Sequence, residues 1–139
     1  MTAPILAPVI ALVLWSFVMW AWLYATRIPA ITRMKIAFDP RRPPSEFDEA
    51  IPPEVRWKAD NYNHLMEQPT IFYATALALA LLGLGAGLNL WLAWTYVGLR
   101  VIHSLVQATV NAVIVRFSIF MISSGVLLIM AIRAAAAVF

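Results

Sequence analysis

The chain has 139 residues, 63% of them hydrophobic and only 12% charged, and its formal net charge is +3. With its long uncharged runs this composition marks an integral membrane protein, and the length limits it to one small bundle. Cysteine is absent, which excludes disulfides, a protein thiol nucleophile and thiolate metal sites; any thiol chemistry needs a thiol carried by a ligand.

The first apolar run covers residues 4–26 and is long enough, at roughly 1.5 Å per residue, to cross a bilayer. Pro4 and Pro8 suit its first turns, and Trp20, Trp22 and Tyr24 near its end form an interfacial belt. No Lys or Arg precedes it and Arg27 follows, so an uncleaved anchor is expected rather than a signal peptide. Residues 27–60 are the polar loop. They hold Arg27, Arg33, Lys35, Arg41, Arg42, Arg56 and Lys58, interleaved with Asp39, Glu46, Asp48, Glu49 and Glu54. The basic excess places this loop in the cytoplasm and both termini outside. The interleaved acids speak for a solvated loop that sets topology, not for nucleic-acid binding.

A second helix is expected to start near Pro53 and to span over residues 61–84, with Pro69 bending it and freeing the carbonyl of Leu65. Arg56, Asp60, Asn63 and Glu67 recur along it at helical spacing as a polar stripe. The glycines of residues 83–87 end it. A third span is read over residues 89–111, with Trp91, Trp94 and Tyr96 as its belt, and a fourth over 115–138; no Gly or Pro marks the boundary between them. The third carries Arg100, His103, Gln107 and Asn111 at i, i+3, i+7 and i+11, an arc of roughly 80° on one face. A charge near the bilayer centre costs about 2.5–3.5 kcal/mol on insertion scales, so this face must turn toward other helices or a cavity. The fold expected is an all-α, four-helix transmembrane bundle, in which Arg100 either pairs with Glu67 or binds an anion.

No catalytic triad order and no phosphate loop is present. His64, His103 and Glu67 lack the close ligand pair that a metal site needs, so no metal is expected.

With Arg100-Val101-Ile102-His103 followed by Arg116, and with Asp60, Asn61, Glu67, Pro69, Phe72 and Tyr73, the chain carries two motifs in which it resembles the MAPEG superfamily, membrane-associated proteins of eicosanoid and glutathione metabolism. The first is Arg100-Val101-Ile102-His103, followed thirteen residues after the histidine by Arg116. Prostaglandin E synthases of that family have the same Arg-x-x-His and the same gap to an arginine that stabilises a glutathione thiolate. The second lies in residues 60–73, where Asp60, Asn61, Glu67, Pro69, Phe72 and Tyr73 are similar to a pattern of a bacterial branch. The resemblance implies a homotrimer with sites between subunits, in a bacterial inner membrane, and glutathione as co-substrate. It implies Arg116 as the catalytic residue, with Arg56, Asn63, His64, Glu67, Arg100, His103 and Gln107 as binding residues. The activity implied is that of a glutathione-dependent transferase or peroxidase acting on a lipophilic electrophile that arrives from the bilayer.

The chain also departs from the family. Asp60 and Asn63 stand where the eukaryotic enzymes have arginines, so Arg56 or Lys58 has to substitute. Phe117 and Phe120 stand where Ser and Tyr can occur, and Gln107 replaces a tyrosine. These losses favour an alternative, a non-catalytic MAPEG-like structural or accessory subunit whose polar stripes are merely paired.

Overall fold

Four long stretches of apolar sequence and three breaks set by proline, glycine and asparagine organise the computed structural model, which describes residues 3–139. Its helices are α1 (Leu6–Met34), α2 (Pro44–Glu49), α3 (Pro53–Leu65), α4 (Pro69–Leu81), α5 (Leu88–Thr109) and α6 (Val113–Val138). No strand occurs among the described residues.

Helix α1 runs on to Met34, well past the expected end of the first span at residue 26, even with Pro29 inside it. It stops where Lys35 takes a left-handed conformation (φ 51°) and its N–H closes on the carbonyls of Ile31 and Thr32. The polar segment is therefore largely helical, because α1 continues into it and α2 and most of α3 lie within it. Arg27 Nη2 donates to Asp48 Oδ1 at 2.8 Å and ties α2 back onto α1.

Pro69 does more than bend the second apolar stretch. It cannot donate a backbone hydrogen bond, and the helix breaks over residues 66–68 into α3 and α4. The chain crosses the break in tight turns, with the N–H of Met66 on the carbonyl of Asn63 and that of Glu67 on the carbonyl of His64. After α4, Gly87 adopts a positive φ of 59°. At Gly85 a side chain would meet Ile5 Cγ2 at 2.8 Å, so only glycine lets the start of α1 close onto this turn. The N–H of Ile5 donates to the Gly85 carbonyl at 3.0 Å.

The boundary between α5 and α6 is made by Asn111, at φ 51°, whose N–H reaches the Val106 carbonyl at 2.7 Å. Asparagine tolerates this conformation better than most residues. It marks the helix end that no Gly or Pro signalled.

Helix α5 packs along α6 and against α1 and α3, and α4 packs on α6. The core joins Ile5, just before α1, and Leu12 and Met19 of α1 to Leu65, Phe72 and Leu79, to Tyr96 and Val97, and to Leu127 and Met130. Phe72 and Tyr96 stack with centroids 4.6 Å apart. Outward faces remain apolar, as Leu14, Phe17, Trp91, Ile114 and Ile132 show. Leu6–Met34 and Val113–Val138 are each long and apolar enough to cross a membrane.

Candidate functional site

Helix α5 turns its polar stripe inward: Arg100, His103, Ser104 and Gln107 are all buried. Ser104 was not part of the stripe read from spacing. Its Oγ accepts from Asn61 Nδ2 at 2.6 Å, a buried link that fixes α3 against α5. Gln68 does the same further along, donating to Ser124 Oγ at 2.7 Å and accepting from the Tyr96 hydroxyl at 3.2 Å.

Arg100 is fully buried, and its partner is not the one expected. Its Nη2 donates to the His64 carbonyl at 3.4 Å, and Nη1 lies 3.5 Å from His64 Nε2. The break before Pro69 explains this. The last carbonyls of α3 lack their regular partners, and a helix C-terminus favours a cation. The guanidinium also lies over the Phe120 ring, 5.9 Å from its centroid. Glu67 instead accepts from His64 Nδ1 at 2.9 Å, with its carboxylate side chain two-thirds exposed. Of the two alternatives for Arg100, direct pairing with Glu67 gives way to a chain in which His64 stands between the two charges and is itself the basic partner of Glu67.

His64 and His103 face each other with ring centroids 4.9 Å apart, and Phe120 lies 5.4 Å from the first and 6.4 Å from the second. With Gln107, Val113, Arg116 and Phe117 they line a cavity of about 260 Å³. Arg116 is in the first turn of α6 and half-buried. No carboxylate lies within ion-pair distance of it among the described residues. His103 and Gln107 line the cavity with it, and His103 Nδ1 and Gln107 Oε1 are buried without a hydrogen-bond partner. Buried polar atoms without partners are uncommon in folded proteins, and two of them belong to residues that share this cavity with Arg116.

A profile of the MAPEG family matches residues 5–136. The chain belongs to the MAPEG family. It is accordingly a membrane protein, and the family supports a glutathione-related activity at that coarse level. No curated protein and no solved structure matches the chain significantly.

Of the residues that the MAPEG motifs single out, His64, His103, Gln107 and Arg116 share the cavity, and Arg100 and Glu67 border it through His64. Arg56 and Asn63 do not. They line a separate cleft of about 460 Å³ with Tyr24, Arg27, Asp48 and Asp60, on the flank of α3 that meets α1. Lys58 does not substitute for a missing arginine either: its Nζ donates to the carbonyls of Glu54 and Ala108 and sits 5.1 Å from the centre of the Trp22 ring. Partial burial holds the Lys58 ammonium below its usual pKa, against the opposing charge of Glu54. Phe117 and Phe120 wall the cavity. The pairing of Asn61 with Ser104 has no signal in the sequence: Asn61 lies in the polar run of residues 56–64 and Ser104 in the apolar stretch of α5.

Proposed function

We propose that the protein is a glutathione-dependent membrane transferase or peroxidase that acts on a lipophilic electrophile. One observation carries this reading: Arg116, without a carboxylate partner, shares a cavity with polar atoms of Gln107 and His103 that also lack partners. A peptide thiol supplies what that cavity needs. Its amide groups can pair with the polar side chain of Gln107 in the cavity wall, and a sulfur beside Arg116 ionises more readily than the reference thiol, whose pKa is about 8.5. The thiolate then attacks an electrophilic carbon or a peroxide oxygen. The exposed Phe117 supports lateral entry of an apolar substrate from the bilayer.

The cavity is small for a whole tripeptide. Asn63 near the end of α3 and Glu67 in the break after it form an exposed polar stripe on either side of the cavity-lining His64. Polar faces at membrane depth are covered by protein, not by lipid. The reading therefore includes a homotrimer whose neighbouring copy covers this stripe, with Glu67 and Asn63 holding the ends of glutathione and Arg56 reaching it from the adjoining cleft. It also includes four crossings, with α3–α4 and α5 as the inner two, in a bacterial inner membrane. Residues 27–60 are then cytoplasmic, since seven Lys and Arg lie there and none before.

Phe117 and Phe120, in place of hydroxyl donors, favour the second reading of a non-catalytic subunit. Ultraviolet difference absorbance on adding glutathione to the purified protein separates the two. Thiolate absorbance is expected at neutral pH, and its absence removes the enzyme reading. Native mass spectrometry in mild detergent tests the trimer, and a folded monomer would refute it.

A further inference from the structure

The hydrogen bond between His64 and Glu67 has no counterpart in the motifs, yet it gives the cavity a feature Arg116 alone lacks. A carboxylate only accepts, so the 2.9 Å contact makes Nδ1 of His64 the protonated nitrogen. The other nitrogen, Nε2, then carries the lone pair. Its one hydrogen-bond partner among the described residues is Arg100 Nη1 at 3.5 Å, at the outer limit of such a bond. His64 lines the same cavity as Arg116. His103, the other imidazole there, is buried with Nδ1 unpartnered and has no carboxylate to orient it.

Resting on the thiol-activating role proposed above, we infer that His64, oriented by Glu67, is the base that accepts the thiol proton while Arg116 takes the thiolate. The S–H bond breaks, an N–H bond forms at Nε2, and sulfur keeps the electron pair. The imidazolium is balanced by Glu67. Arg100 on α5 and Arg116 on α6 both oppose its charge, and His103 faces it as a neutral ring or a further opponent, so Glu67 is the group that makes the transfer feasible. After the sulfur has attacked its electrophile, the proton on Nε2 is delivered to the product anion. This arrangement has the logic of a base held in one tautomer by a carboxylate.

The test follows the proton. Purified full-length protein in detergent and in weak buffer near neutral pH is mixed with glutathione. Thiolate absorbance and a pH indicator are read together. A free thiol is mostly protonated at this pH, so a thiolate formed without an internal base sends about one proton into solution. Wild type is expected to form thiolate with little matching release. His64→Asn is expected to release about one proton for each thiolate it still forms. Glu67→Gln alters a largely exposed side chain and is expected to fold; it should release more protons per thiolate than wild type. The ratio is independent of how tightly glutathione binds, so a binding role for either residue does not mimic the result. If wild type releases one proton per thiolate, or if both variants retain the wild-type ratio, His64 is not the base while the thiolate reading stands. If wild type forms no thiolate, both fall.

Discussion

The two ends of the bundle use similar side chains to opposite effect. At the turn between α4 and α5, Asn89 donates to the Leu84 carbonyl at 2.8 Å and accepts from Arg133 Nε at 2.5 Å, while Ile5 closes over Gly85. There the arginine and the amide satisfy each other. Around the start of α6, Arg116 has no carboxylate, and the side-chain oxygens of Gln107 and Asn111 have no donor. A protein gains stability by pairing such groups and loses it by burying them unpaired. The closed end is built to hold the helices together. The open end leaves polar capacity unpaired, which is the feature the proposed thiol site rests on.

Phe72→Ala should have the largest effect and strike both ends alike. It removes a fully buried ring stacked on Tyr96 in the shared core and should cost about 3–5 kcal/mol of stability. Thermal unfolding in detergent measures it; a loss confined to thiolate formation, with unchanged unfolding, would break the picture of one common core.

Arg116→Ala should separate the ends. Conjugation should fall roughly a hundredfold to a thousandfold, about 3–4 kcal/mol in the barrier, with unfolding little changed. Arg116→Lys should recover only part of this, because an ammonium lacks the planar fork. Single-turnover thiolate formation is the measurement, and equal amounts in wild type and Arg116→Ala would remove the catalytic role.

Asn89→Ala should give the converse, a stability loss of about 1–3 kcal/mol from the unpaired Leu84 carbonyl, with thiolate formation per folded molecule unchanged. A loss of activity in the folded variant would show that the closed end is coupled to the site. The smallest effect is expected for Arg27→Ala. Its pair with Asp48 is partly solvent-exposed, so it should contribute about 0.2–1 kcal/mol and fade with added salt. A larger or salt-insensitive loss would mean that the cleft between α1 and α3 belongs to the stabilising part of the molecule.

Much of this was determined by the sequence alone. Composition required a membrane protein, and 3.6-residue periodicity required the face of Arg100, His103 and Gln107 to turn inward. Glycine located the break after α4, proline marked a bend at residue 69, and the MAPEG motifs placed the chain in its family. Periodicity, however, assigns a residue to a face of its own helix and is silent about what stands opposite. Only the tertiary structure decided that Pro69 splits the helix, so that Arg100 caps the end of α3 and Glu67 turns to His64. It also decided that Arg56 and Asn63 lie in a different cleft from Arg116. Those outcomes depend on how far each helix is rotated about its axis and how far each side chain reaches across to the next. Packing of the whole core sets both.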